Sequence, residues 1–217
     1  MSDLRLVDGI GLWLERLGPL PAPGRPALFL DRDGVIVEEC HYLGRAQDVR
    51  IIDGAATAIR TINEAGLPVV VVTNQAGLGR GRYDWFGFEA VQNELYARLA
   101  CLGARIDLAV ACAYHEEGLG KFSHRDHSWR KPQPGMLLAA AKTFAINMPR
   151  SLIVGDRISD LEAGRNAAVG FGTLVETGYG RDECVRLAEA TMAPMSVSVA
   201  FNIGEAVKQA LALGWPG

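Results

Sequence analysis

The chain has 217 residues, 49% of them apolar, and a formal net charge of −3 at pH 7. That is long and apolar enough for one domain with a substantial core, which argues against a disordered chain. The acidic balance argues against a general nucleic-acid binder, usually basic, while leaving a locally basic phosphate site open. Four scattered cysteines, Cys40, Cys101, Cys112 and Cys184, make no disulfide framework. A reducing cytoplasmic setting is therefore expected, with Cys101 read as helix core. No apolar run reaches the roughly 18 residues of a membrane span. Asp3, Arg5 and Asp8, ahead of a short apolar patch at 10–14, make a poor signal peptide.

Residues 1–26 begin with a weakly amphipathic segment, Leu4 to Leu17, and end in a proline-rich run from Gly18 to Pro26. They are read as an N-terminal arm lying on the domain, with a dimer contact as the alternative. The domain itself is 27–217. A first strand is expected over 27–31, followed by an aperiodic flap from Gly34 to Asp48. Asp53 is read as the cap of a helix that stops at Gly66. The run Pro68 to Thr73 is β-branched, as in a parallel strand buried on both faces. A glycine-rich basic loop, 76–82, leads into a helix over 84–102 and a strand over 106–113. A polar loop, 114–132, precedes a helix starting at Pro134. The strand 151–156 is followed by a helix with Ser159 and Glu162 as its capping box. Strands at 172–175 and 196–200 and helices at 182–190 and 202–213 complete the chain. This alternation predicts an α/β fold, doubly wound, with a mostly parallel sheet and helices on both faces.

Chemistry concentrates where apolar strands stop at polar residues. The first strand ends in Asp31-Arg32-Asp33-Gly34, and the second in Thr73-Asn74-Gln75. The strand at 151–155 ends in Asp156. In open α/β sheets such carboxyl ends share one edge, where ligands bind. Alternation along extended chain points Asp31 and Asp33 the same way, and Gly34 lets the chain turn. A carboxylate can act as a covalent nucleophile toward phosphorus. A phosphate dianion can approach several carboxylates only with a hard cation such as Mg²⁺ between them. Lys131 would add a point charge and Thr73 a hydroxyl donor, the positioning that phosphoryl transfer requires.

These four segments, with Arg130-Lys131-Pro132 and Gly155-Asp156-Arg157-x-x-Asp160 completing them, resemble the motifs of haloacid-dehalogenase (HAD)-type phosphatases over about residues 27–180. Arg-Gly-Arg at 80–82 and the run 130–137 resemble the D-glycero-D-manno-heptose 1,7-bisphosphate phosphatases and the related histidinol phosphatases. The resemblance implies a HAD-like Rossmannoid fold without a large cap domain. It also implies Asp31 as nucleophile, Asp33 as acid/base, and Thr73 and Lys131 as phosphoryl ligands. Mg²⁺ would be held by Asp31, the Asp33 carbonyl and Asp156, with Arg157 adjacent. Glu39, Cys40, His41, Tyr42, Asn74, Gln75 and Arg130 would meet the substrate, Arg130 through a second phosphate.

Cys112, His115, His124 and His127 have spacing compatible with a structural zinc. The family pattern, C-x-H and C-x-C before Arg-Lys-Pro, is met at Cys112. It is broken at Tyr114 and Trp129, and His127 stands where a cysteine is expected. Zinc, or a loop packed by Tyr114 and Trp129 instead, are the two readings. The expected partner is a small phosphorylated sugar, with no nucleic acid or membrane, and the chain is expected to be a monomer or weak homo-oligomer. The functional alternatives are a histidinol-phosphate phosphatase and a non-catalytic phosphate-binding module on the same fold.

Overall fold

The computed structural model describes residues 5–216, so the expectations that touch Asp3 and Leu4 lie outside the described residues. Seven strands form one sheet: β1 (Leu12–Arg16), β2 (Leu28–Leu30), β3 (Val69–Asn74), β4 (Leu108–Cys112), β5 (Leu152–Gly155), β6 (Phe171–Val175) and β7 (Ser196–Ala200). Their order is β1-β4-β3-β2-β5-β6-β7, and every neighbouring pair is parallel except β1 with β4. The helices are α1 (Ala55–Glu64), the one-turn α2 (Ala76–Gly79), α3 (Trp85–Cys101), α4 (Gly135–Phe144), α5 (Ile158–Asn166), α6 (Gly180–Leu187) and α7 (Ile203–Ala212).

Alternation along each strand sends successive side chains to opposite faces. Leu28 and Leu30 of β2 pack in one core with Ile59 of α1, Leu95 of α3 and Ile203 of α7. Phe29 packs in a second core with Leu137 and Phe144 of α4 and Leu161 of α5. Both faces of the central strands are covered, which explains the unbroken apolar run Val69–Val72, every residue of it buried. The long segments after β2 and β4 contain only single 3-10 turns, so loops overhang the carboxyl edge.

Four local expectations are corrected. The N-terminal segment does not merely lie on the domain, because Leu12–Arg16 pairs with β4 as the antiparallel edge strand. Cys101 is exposed: the buried positions of α3 end at Leu99, and two residues further is about 200° around the helix. α1 is entered through Gly54 at φ +82 with no side-chain cap, and the Asp53 carbonyl instead accepts a bond from Asn202 Nδ2. At α5 the capping residue is Asp160, whose Oδ2 accepts the Arg157 N–H at 3.0 Å, so Ser159 and Glu162 do not form the box.

Candidate active site

β2 lies between β3 and β5, so the residues just past these three strands are neighbours along one edge. Asp31 continues the ladder, its N–H bonded to the Val154 carbonyl at 3.0 Å. Thr73 is the penultimate residue of β3, and Asp156 follows β5 directly. The chain then turns away at Gly34, φ +81, where an added Cβ would lie 2.3 Å from Asp156 Oδ2. Only glycine tolerates both the positive φ and that close approach.

Lys131 arrives from the loop after β4. Asn74 holds it by a reciprocal pair of bonds: Asn74 Nδ2 donates to the Lys131 carbonyl, and the Lys131 N–H donates to Asn74 Oδ1, each 3.1 Å. Its ammonium donates to Asp31 Oδ1 at 2.7 Å, Asp160 Oδ1 at 2.6 Å and the Val72 carbonyl at 2.8 Å. Desolvation works against the ammonium, but Asp160 and Asp31 outweigh it and raise the Lys131 pKa. Asp31, Asp156 and Asp160 each place an oxygen within 4.8 Å of the others. Burial pushes Asp31 up to about 7, opposed by Lys131 and reinforced by Asp160. Burial, then Asp31 and Asp160, push Asp156 up to about 8.

One lysine cannot neutralise three carboxylates. Asp156 Oδ2 accepts the Tyr179 N–H, but Asp156 Oδ1 is buried with no partner. An all-oxygen donor set with an orphaned buried oxygen fits a hard divalent cation such as Mg²⁺. Asp160 was not among the expected metal or catalytic residues. The Asp156-x-x-x-Asp160 spacing across a helix start was the available signal. The Arg157 guanidinium carries only donors and does not itself ligate a cation; it lies 3.7 Å over the Tyr179 ring.

Asp33 is gripped by its own neighbour. Arg32, wholly buried, forks both Asp33 oxygens through Nε and Nη2, the shortest contact being 2.9 Å. Gln75 Nε2 adds a bond to Asp33 Oδ2 at 3.1 Å and another to Thr73 Oγ1 at 2.8 Å. A cavity of about 540 Å³ opens over this edge. Asp31, Asp33, Glu39, His41, Tyr42, Asn74, Gln75, Arg130 and Lys131 line it, whereas Cys40 does not. Glu39 accepts the His41 N–H, and His41 Nδ1 lies 3.1 Å from the Tyr179 hydroxyl, which pins the flap to the β6–α6 loop. Arg80, His115 and Tyr179 also line the cavity and were not anticipated in that role.

The expected zinc quartet does not converge. Among the described residues the only metal-compatible group of three is the aspartate cluster. Cys112 is buried in the core beside α4, and burial pushes its thiol up to about 11. His115 turns toward Arg80 Nη2, 3.2 Å away. His127 stacks on Tyr114 with centroids 4.3 Å apart, and its Nδ1 accepts the Trp129 N–H. The alternative reading, a loop packed through Tyr114 and Trp129, matches this arrangement.

A family model described as HAD-hydrolase-like matches residues 128–200. A D-glycero-beta-D-manno-heptose-1,7-bisphosphate 7-phosphatase of Mesorhizobium japonicum is 45% identical over 167 residues, covering 76% of this chain and 77% of that protein. The chain belongs to the heptose-bisphosphate phosphatase family of HAD-like hydrolases. The enzyme of the same name from Escherichia coli K12 is 37% identical, over 70% of this chain and 80% of that one. Among solved structures, a HAD-like phosphatase from Mesorhizobium loti superposes with a TM-score of 0.85 at 38% identity, covering 96% of this chain and 94% of that one. The D,D-heptose 1,7-bisphosphate phosphatase of B. bronchiseptica, solved with magnesium and phosphate, gives 0.75 at 27% identity, covering 87% and 99%. Membership makes this chain a phosphatase and accounts for the aspartate-lined edge.

Proposed function

We propose that the chain hydrolyses the 7-phosphate of D-glycero-D-manno-heptose 1,7-bisphosphate with Mg²⁺, through an aspartyl phosphate on Asp31. The observation that carries this reading is the convergence of Asp31, Lys131, Asp156 and Asp160 at a cavity that Arg80 and Arg130 also line. Asp31, the Asp33 carbonyl and Asp156 would hold the ion, which when bound screens the carboxylates from the phosphoryl oxygens. An Asp31 carboxylate oxygen attacks phosphorus as the phosphorus–sugar oxygen bond breaks. Asp33 gives that oxygen a proton, then takes one from the water that displaces Asp31 and releases phosphate. All three Lys131 hydrogens have acceptors, so Lys131 holds Asp31 in place before charge passes to the phosphoryl group.

Arg80 and Arg130 select the substrate. Arg80 Nη2 and His115 Nε2 are 3.2 Å apart, Arg80 Nε is buried without a partner, and Arg130 donates to the Tyr114 carbonyl. Burial lowers the Arg130 pKa, with Arg80 adding to the effect, and burial, Arg130 and Arg80 together lower that of His115. The guanidiniums of Arg80 and Arg130 suit a second phosphate and repel the ammonium of histidinol phosphate, which disfavours the histidinol-phosphatase alternative, while the Arg80–Glu117 ion pair at 2.6 Å offsets part of that charge.

A phosphate-release panel of α- and β-heptose bisphosphate, fructose 1,6-bisphosphate and histidinol phosphate tests this. We expect the highest kcat/KM on a heptose bisphosphate and no turnover by Asp31→Asn. Preference for histidinol phosphate, or an active Asp31→Asn, would overturn it. Arg130→Ala should raise KM for the bisphosphate about tenfold or more, the scale of a lost charge-assisted hydrogen bond, and leave a simple monophosphate little changed.

A further inference from the structure

We propose that Gln75 is a positioning residue that sets the hydrogen-bond polarity of Thr73 and Asp33, rather than a substrate ligand. The inference rests on the roles just given to those two residues. Gln75 is 2% exposed. Its Oε1 accepts from Arg32 Nη2 at 3.1 Å and from the Tyr83 hydroxyl at 2.5 Å. Its Nε2 donates to Thr73 Oγ1 at 2.8 Å and to Asp33 Oδ2 at 3.1 Å. An amide has two acceptor sites and two hydrogens, so its capacity is spent within the protein although it borders the cavity.

The orientation of this amide follows from chemistry. A guanidinium only donates, so the atom facing Arg32 is the oxygen, and the amide nitrogen is therefore the atom facing Asp33 and Thr73. Burial raises the Tyr83 pKa, so the phenol keeps the proton it donates. Arg32 is itself fixed: Nη1 donates to Gln92 Oε1 at 3.0 Å, Gln92 Nε2 donates to the Tyr96 hydroxyl, and the guanidinium lies 5.5 Å from the Phe88 ring centroid. The consequence reaches the reacting edge. Thr73 Oγ1 accepts from Gln75, which leaves its single hydrogen to be donated to a phosphoryl oxygen. Asp33 is held on its inner side by Arg32 and Gln75, which leaves its outer lone pairs for the proton it carries.

Gln75→Glu keeps the shape and removes both N–H donors. Thr73 must then donate inward, and Asp33 faces a second anion. We expect kcat to fall about a hundredfold with KM changed less than about threefold, because both proton transfers pass through Asp33. In double-mutant cycles with Thr73→Val and with Asp33→Asn, the penalty of Gln75→Glu should shrink in each, since one of the two groups it serves is gone. Tyr83→Phe, which leaves Arg32 on the amide, should lose about three- to tenfold in kcat at constant KM, and it carries the test if Gln75→Glu does not fold. A raised KM at unchanged kcat, fully additive cycles, or an unaltered Tyr83→Phe would overturn the proposal. Full turnover by Asp33→Asn would instead sink the acid/base assignment beneath it.

Discussion

Asp31 and Asp156 are strand-end carboxylates that burial makes reluctant to ionise, with folded pKa values of about 7 and about 8 against the ordinary 3.8. The folded protein therefore binds more protons than the unfolded chain between these limits. Their contribution to stability is present below about pH 4 and is lost as pH rises through 7 to 8. Lys131, Asp160 and Asp33 act on Asp31, and Asp31, Asp160 and Arg157 act on Asp156, so the two cations do not outweigh burial and the neighbouring carboxylates. Mg²⁺ binds the deprotonated oxygens, so it should restore what alkaline pH removes. We predict a melting-temperature increase on adding Mg²⁺ that is several degrees at about pH 8 and close to nil at about pH 5. Asp156→Asn should lose the Mg²⁺-dependent part of that shift, read by thermal unfolding with and without a chelator.

At the level of elements, the loop from β4 to α4 carries Arg130 and Lys131 and is fastened by the N-terminal segment. Asp8 Oδ1 accepts the N–H groups of Ile10, Gly11 and Leu12, and Asp8 Oδ2 accepts the Tyr114 hydroxyl at 2.6 Å. Tyr114 in turn stacks on His127, and its carbonyl holds Arg130. This set of contacts orders the loop where a metal would otherwise be needed. Tyr114→Phe should cost about 1 kcal/mol in chemical denaturation, the net worth of one hydrogen bond, and raise KM for the bisphosphate through Arg130. A zinc-selective chelator should change neither stability nor Mg²⁺-supported turnover. Zinc at one equivalent per chain in elemental analysis would contradict this account.

On the scale of the whole molecule, β1 closes the sheet over β4 and brings a third, smaller core. Trp13 is wholly buried, stacked 5.3 Å from Trp85 and set edge-on to Phe88 at 5.4 Å. Its indole N–H has no hydrogen-bond partner, so its value lies in packing and in the Arg5 guanidinium 4.3 Å over its ring. Trp13→Ala should therefore cost about 3–5 kcal/mol, while Trp13→Phe, which keeps an aromatic ring and forfeits no hydrogen bond, should cost clearly less. Urea denaturation of the two variants measures the difference. Removing the segment through Arg16 should also bare the β4 edge and promote association between chains. None of the described helices is long and apolar enough to cross a membrane.

The information readable from the amino acids alone is local and periodic. The run Val69–Val72, the strand ending at Asp31 and the alternation of strands and helices specify a covered parallel sheet, because burial on both faces demands unbroken apolar residues. Strand-end placement likewise made Asp31, Thr73 and Asp156 legible as one site, since parallel strands share a carboxyl edge. Tertiary structure alone decided the rest. Lys131 meets Asp31 from 100 positions away, and Asp160 joins the cluster only once α5 is docked. Leu12–Arg16 became a strand because β4 offered an open edge. Cys112, His115, His124 and His127 have metal-like spacing, yet Cys112 is buried in the core and His115 turns to Arg80, while His124 and His127 gather around Tyr114. Spacing constrains which side chains can meet, but contacts made by distant segments decide which of them do.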